Sequence, residues 1–392
     1  MERYQEKLFR YLYQKKLFAG MTGLLTGSVL RAIGMSLVNL FIPVYVYQLS
    51  GSFVGVMIFY SLYHLLVIVS AYLAGRIIRL IGVDWAIFFG ALLRAGFLGL
   101  MILGKNQLWF IWLAAILWGL AVNLHWCSYH YSVFGLKTGG GRFGKETSLI
   151  YLAERLGITL APLIGGLLIA GFGFTPVFAI AFILIILSGL PQFFDSFTKS
   201  GMQFDFKAII KNFIQPKNRR FLTGFIGAGF RSVLVVSVWP LFIFLVIKNY
   251  TVFGGLKTGA QIVSLFLIWW LGKRIDKKGP EILKLGVILN SINWLIRAFL
   301  QSPITIFASE AFHGWGELLV LEPFDAATYQ SLSSRHKLEF LTFREISIHL
   351  GGLVTCLIVL GLWYLGVGWF WMFSLATIGL IMTSFIGNED GS

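Results

Sequence analysis

The chain has 392 residues, of which 57% are hydrophobic and only 12% charged, with a formal net charge of +15. Such a balance excludes a disordered chain, and apolar runs of this length exclude an ordinary soluble helical domain. The basic excess suggests nucleic acid, but its placement, set out below, argues against that partner.

A bilayer core of ~30 Å needs ~20 mostly apolar residues per crossing helix. On that basis, spans are expected at 20–48, 52–80, 84–104, 107–135, 146–171 and 174–194, then at 220–248, 251–271, 281–300, 303–331, 342–366 and 368–387. Residues 1–18 are polar and amphipathic, so the first apolar run reads as a retained anchor, not a cleaved signal. Cys127 and Cys356 both fall inside spans, which implies no disulfide framework. Between spans 6 and 7, residues 195–219 form the longest loop, and 204–214 within it is amphipathic with Lys on one face. A short helix on the cytoplasmic membrane surface is expected there.

Lys and Arg gather in every second loop: Arg3 to Lys16, Arg76 and Arg79, Lys137 to Lys145, Lys199 to Arg220, Lys273 to Lys284, and Arg335 with Lys337. Only Lys105 and Lys248 stand in the opposite-side loops. That is the positive-inside bias, and it puts both termini in the cytoplasm of a cell whose cytoplasmic membrane holds the chain. The basicity therefore reports topology. The expected surroundings are the lipid bilayer, with no nucleic acid.

The two halves of the chain echo each other. Gly75-Arg76-Ile77-Ile78-Arg79-Leu80-Ile81-Gly82 after span 2 is matched by Gly272-Lys273-Arg274-Ile275-Asp276-Lys277-Lys278-Gly279 after span 8. Trp118-Gly119 pairs with Trp315-Gly316, Gly27-x-x-x-Arg31 with Gly227-x-x-x-Arg231, and Arg94-Ala95 with Arg297-Ala298, all in the same order at nearly constant spacing. The expected organisation is an N-terminal six-helix bundle over 1–194, a linker over 195–219 and a C-terminal six-helix bundle over 220–392.

With these motifs the chain resembles the major facilitator superfamily, whose loops 2–3 and 8–9 carry G-x-x-x-D-R-x-G-R-[RK]. The second half keeps Gly272, Asp276 and Gly279; the first keeps Gly75 and Gly82 but has Arg79 where the family has Asp. In span 5, Gly157-Ile158-Thr159-Leu160-Ala161-Pro162-Leu163-Ile164-Gly165-Gly166 is similar to the family's antiporter motif, with Ala161 for one Gly. Ala115 stands where drug/proton antiporters place an Arg. The resemblance implies an all-α polytopic membrane protein of two bundles related by a pseudo-two-fold axis along the membrane normal, with helices 1, 4, 7 and 10 lining a central cavity. It also implies that helices 5 and 11 meet the opposite half.

Charge at the bilayer centre is costly, so it is paired, wet or functional. The bases within spans are Arg31, Arg94, Arg155, Arg231, Lys257, Arg297 and Arg344; the acids are Glu154, Glu310, Glu317, Glu322, Asp325 and Glu345. Arg31 and Arg231 each lie ~16 Å deep from the cytoplasmic side at 1.5 Å per residue. Facing one cavity they make an anion clamp, because a guanidinium fork fits carboxylate or phosphate; the other reading pairs each with a carboxylate of its own half.

Glu310, His313 and Glu317 share one helical face, and Glu322, Asp325 and Tyr329 repeat the spacing nearer the cytoplasm, a ladder suited to holding protons. A structural network with the arginines is the alternative. His125 and Tyr129 share a face of span 4, and His125 aligns with Glu322 in the repeat, making both cavity candidates. Glu154-Arg155 and Arg344-Glu345 occupy corresponding places with charges reversed. They read as inter-bundle gating pairs together with the Gly and Pro positions of the motifs, although Arg344 also reads as a side chain snorkelling to the membrane edge.

These residues suggest a secondary transporter of a small organic, anionic solute, driven by protons, exporting, and monomeric. They point to no catalytic residue, no cofactor and no metal, since the span 4 histidines lack helical metal spacing. A membrane-embedded transferase acting on a lipid carrier is the enzyme alternative, and needs grouped acids that the loops do not show. A non-transporting scaffold is the third reading.

Overall fold

A computed structural model of the chain describes residues 23–137, 158–194, 204–275, 279–331 and 336–387. Among the described residues the architecture is all helix, with no strand. The first span, α1 (Gly23–Ser50), is broken by a turn at residues 40–41 before Ile42–Ser50 continues it. Then come α2 (Phe53–Ile81), α3 (Val83–Leu103), α4 (Trp109–Lys137), α5 (Ala161–Phe172) and α6 (Phe174–Gly189). The short amphipathic α7 (Phe206–Ile214) precedes α8, which runs as Arg219–Val233, a π turn at Leu234–Val238, and Trp239–Ile247. The chain closes with α9 (Tyr250–Ile275), α10 (Gly279–Ile296), α11 (Pro303–Gln330), α12 (Lys337–Tyr364) and α13 (Trp369–Ser384).

Eight of the described helical stretches are long and apolar enough to cross a bilayer, while α5 and α13 are shorter apolar helices. The remaining long helices are the charged ones: α11 carries Glu310, Glu317, Glu322 and Asp325, and α9 carries Lys257, Lys273 and Arg274. A helix polar along one stripe crosses lipid only when its neighbours or a cavity cover that stripe. Exposed aliphatic side chains along the outer faces, such as Val69, Leu73, Ile183 and Leu357, need no such cover in a lipid solvent.

Packing repeats between the halves. In the first, α2 lies on α4, α4 on α3 and α3 on α6; in the second, α9 lies on α11, α11 on α10 and α10 on α13. Among the described residues the most extensive crossings between the halves are α2 against α12 and α5 against α9. Both are made close by glycine. A Cβ on Gly254 of α9 would meet the Pro162 carbonyl oxygen at 2.2 Å, and one on Gly166 of α5 would meet the Tyr250 carbonyl oxygen at 2.3 Å. Pro162 sits at the start of α5, and the Thr258 hydroxyl of α9 accepts from the neighbouring Leu163 N–H at 3.2 Å. Gly165 presses instead on the Leu37 carbonyl of α1.

The α2–α3 connection is a single residue, Gly82, with φ +87°. A side chain there would be strained, which explains the glycine at the end of the first loop motif. Gly75, about two turns earlier, lies under the Phe204 ring. Helix α7 is capped by Asp205, whose side chain accepts from Lys207 N–H at 3.0 Å. It seats Ile209 and Phe213 against α12, Phe213 touching Phe343 at 4.7 Å between ring centres, and leaves Phe206, Ile210 and Ile214 exposed.

Candidate functional site

The π turn in α8 positions the site. A π turn leaves a carbonyl outside the regular ladder, and the Val236 carbonyl accepts from the Tyr60 hydroxyl of α2 at 3.3 Å. Val236 therefore lies at the seam between the halves. It borders two cavities of about 400 Å³ and 340 Å³, which also share Asn39 and Trp126 as walls. A third, of about 220 Å³, shares Lys257, Glu310 and His313 with the first.

The larger cavity lies among α1, α4, α8, α9 and α11. Arg31 lines it from α1, its guanidinium 4.8 Å from the Trp126 ring centre, a cation–π distance. From the second half come Lys257 and Glu310, with Trp239 beside them. Glu310 is the hub of a buried cluster: Trp239 Nε1 donates to its Oε1 at 2.6 Å, Arg297 Nη2 to the same oxygen at 2.8 Å, and Lys257 Nζ to Oε2 at 2.5 Å. Arg297 is fully buried in the corner of two indole rings set edge to face, Trp239 at 4.2 Å and Trp294 at 4.1 Å, and it ties the second half together through Ser309 as well.

His313 and Glu317 follow along α11. His313 Nδ1 lies 2.9 Å from Asn290 Oδ1, and since the amide oxygen only accepts, the ring's hydrogen belongs on Nδ1. Its Nε2 then turns a lone pair towards Glu317, 4.0 Å away. Glu317 itself accepts from Arg231 Nη1. Arg231 is thus buried in an ion pair within its own half and does not face Arg31 across the cavity, which corrects the symmetric clamp expected from sequence. The reason is spacing: Arg231 on α8 and Glu317 on α11 meet at the same depth, and a buried charge takes the nearest opposite charge.

The second cavity holds a different network. Arg344 of α12 donates to Asp325 at 3.2 Å and to Glu345 at 2.6 Å, and its Nη1 lies 3.1 Å from His130 Nε2 of α4. His130 Nδ1 in turn lies 2.6 Å from the Tyr329 hydroxyl. Arg344 is buried, which corrects its placement at the membrane edge: α12 begins at Lys337, so Arg344 lies two turns inside the helix. Tyr129 lines this cavity. His125 does not: it is buried towards α3, where Gly90 leaves room against its backbone. Glu322 is exposed on α11 and lines none of the three cavities, so neither member of that aligned pair sits where the repeat suggested.

The proposed gating positions divide. Gly75, Gly82, Pro162, Gly165, Gly166, Arg344 and Glu345 are placed as described above, and Gly272 and Gly279 lie in α9 and at the start of α10. Asp276, Glu154, Arg155 and Gly157 lie outside the described residues. Among the residues described, no group of three or more His, Cys, Asp or Glu side chains is arranged to hold a metal. Sequence reasoning missed His64, His349, Tyr60 and Trp239, each a lone polar or aromatic residue in an apolar run whose partner lies far along the chain, and it noted His130 in span 4 without its partner Arg344.

A helical bundle with a charged chamber at the seam of two echoing halves defines a membrane transporter. The model of the Major Facilitator Superfamily matches residues 24–296, and the chain belongs to that superfamily. Over 355 residues it is 25% identical to the uncharacterized protein YqgE of Bacillus subtilis (strain 168), covering 86% of this chain and 81% of that one. Solved structures of like fold include the Escherichia coli fucose:proton symporter FucP, at a TM-score of 0.66 and 14% identity over 95% of this chain and 98% of that one. The human organic anion transporter MFSD10 aligns at 0.69 and 13% identity, over 95% and 99%. A structure of a proton-dependent oligopeptide transporter aligns at 0.68 and 15%, over 95% and 97%. At such identities the likeness is one of fold. The superfamily and the fold make the chain a secondary transporter and not an enzyme.

Proposed function

We propose that this transporter carries a small organic anion through the chamber by alternating access, outward across the cytoplasmic membrane, in exchange for protons. The observation that carries the reading is that the larger cavity is lined by a cation from each half, Arg31 on α1 and Lys257 on α9, with Trp126 and Trp239 among its walls. A carboxylate or phosphate between a guanidinium and an ammonium gains two charge-assisted hydrogen bonds, and the indoles cover its apolar part.

Coupling follows from the Arg231–Glu317 pair. While Glu317 is ionised, it holds Arg231. A proton passed to Glu317, with His313 Nε2 as the neighbouring relay, removes the opposite charge and leaves Arg231 to seek an anion. The clamp of Arg31 and Arg231 then belongs to the protonated state of the carrier. Glu310 is less suited to this task, because Lys257 and Arg297 both hold its charge. Asp325, bonded to Arg344, is a second station nearer the cytoplasm, and Glu322, exposed at that end, gives protons a first landing. Outward direction rests on the span 5 motif, whose Gly166 lies at the α5–α9 crossing.

The test uses purified protein. Small carboxylates and phosphate esters should raise its melting temperature, and Arg31→Ala and Lys257→Ala should abolish that rise. In proteoliposomes with an imposed pH gradient, Glu317→Gln should retain binding and lose gradient-driven movement. Stabilisation by sugars or amphipathic cations alone, unaffected by Arg31→Ala, sinks the anion reading.

A further inference from the structure

At the α2–α12 crossing, apart from the α11 ladder, two histidines meet. His64 of α2 and His349 of α12 approach with Nδ1 atoms 2.8 Å apart, and both are buried. Gly352 makes the room, since a Cβ there would meet His64 Cε1 at 2.3 Å. Tyr63 lies edge-on to both rings, at 4.9 and 5.4 Å. Two Nδ1 atoms at this distance share one hydrogen, so one ring donates and the other accepts. His349 Nε2 faces the Glu345 carboxylate at 3.9 Å, which favours a hydrogen on that nitrogen and makes its Nδ1 the acceptor. His64 is then the donor, and its Nε2 keeps a lone pair that is buried without a hydrogen-bond partner.

We propose that this pair is a proton-binding site whose capacity depends on the helices that carry it: one proton while α2 and α12 are together, two when they part. The first proton goes to His64 Nε2, and the ring still donates through Nδ1. A second would have to enter at His349 Nδ1, the atom already accepting that bond, and would set two hydrogens and two positive charges face to face. Only separation of the rings admits it. Acid therefore favours the parted state, by about tenfold per pH unit for a difference of one proton.

The groups that face the pair modulate this balance. They are Tyr60 and Tyr63 on α2, and Arg344 and Glu345 on α12. His130 on α4 and Asp325 on α11 act through Arg344, and Arg94 on α3 through Tyr63. To this stretch of α12, α8 presents the backbone of Gly229. The inference rests on the proton-coupled part of the function proposed above, and not on the anion.

The test is made on the full chain in nanodiscs with Cys127→Ser and Cys356→Ser. Spin labels at Leu80 and His336, and at Ser52 and Tyr364, report the two ends of the α2–α12 crossing between about pH 8 and pH 5. One of the two distances should lengthen on acidification in the parent and stay fixed in His64→Gln and in His349→Gln. A second measurement needs neither variant. With Ser52→Cys, Tyr364→Cys, Leu80→Cys and His336→Cys oxidised to bridge both ends, an acid jump should load one proton fewer than in the same protein reduced. Distances unmoved by acid in the parent, or equal proton counts bridged and reduced, overturn the proposal. Neither readout involves a transported solute, so failure here leaves the anion reading standing, and failure of anion binding leaves this pair untouched.

Discussion

Lys257 of α9 and Glu310 of α11 stand 2.5 Å apart, yet the lysine side chain is 29% exposed and the glutamate only 2%. Both line the cavity, but the lysine offers a solute far more of its side chain than the glutamate does. The glutamate is also held by Arg297, so the two ends of this bond are unequal in what their removal leaves behind.

Glu310→Gln leaves Arg297 buried beside a neutral amide, and breaking a buried pair in this way costs ~3–5 kcal/mol. Lys257→Ala leaves Glu310 still paired and should cost about 1 kcal/mol, on the order of a partly exposed pair. Chemical denaturation of the two variants in one detergent should show this inequality; equal losses would contradict the hub role of Glu310.

Arg297→Lys keeps the charge but loses the planar guanidinium that lies against both Trp239 and Trp294. Arg and Lys are not interchangeable at a stacked site, and loss of the ring contacts and of the Ser309 bond should lower stability by roughly 1–3 kcal/mol. Tryptophan fluorescence should shift with it, because both indoles lose the guanidinium that lies against them. An unchanged spectrum and melting curve would show that these cation–π contacts are idle.

Gly254→Ala puts a methyl group 2.2 Å from the Pro162 carbonyl oxygen, against backbone that cannot turn aside. Overpacking of this kind costs ~1–3 kcal/mol, and it falls on the joined α5–α9 arrangement alone. Solute binding should persist while the transport rate drops about tenfold, since 1.4 kcal/mol is a tenfold change. A parallel loss of binding and rate would place the defect elsewhere.

Arg344→Ala strands two carboxylates, Asp325 and Glu345, in a buried network. The single variant should lose ~3–5 kcal/mol, and adding Asp325→Asn with Glu345→Gln should restore much of it, a non-additivity expected of residues in one network. Yield of folded protein and melting temperature measure both. If the triple variant is no more stable than the single one, the network is not what Arg344 serves.

Much of this was legible along the chain. Apolar runs located the eight described helices that are long and apolar enough to cross, and the paired loop motifs pointed to the echo, because lipid imposes length and polarity on a crossing helix. Glu310, His313 and Glu317 were visible as one face because helical spacing is local. What escaped was pairing across the seam: His64 and His349 are 285 residues apart in sequence, and each alone is a single histidine in an apolar helix. Arg344 was misplaced because depth was counted from a span start at 342, whereas the helix begins at Lys337. Arg231 was aimed at the cavity by symmetry with Arg31. Symmetry fixes the depth of a residue but not which neighbour it bonds, and α4 has no carboxylate at the place Glu317 fills on α11.

The π turn at Leu234–Val238 lies between Arg231, bonded to Glu317, and Trp239, bonded to Glu310. Its wider winding sets the azimuth of everything beyond it, so the two attachments of α8 to α11 depend on one surplus residue in that coil. Excising a single amino acid there would restore regular pitch and swing the indole away from its carboxylate, while leaving the arginine where it is. The length of this loose coil is thus the register key that keeps both bonds in place at once.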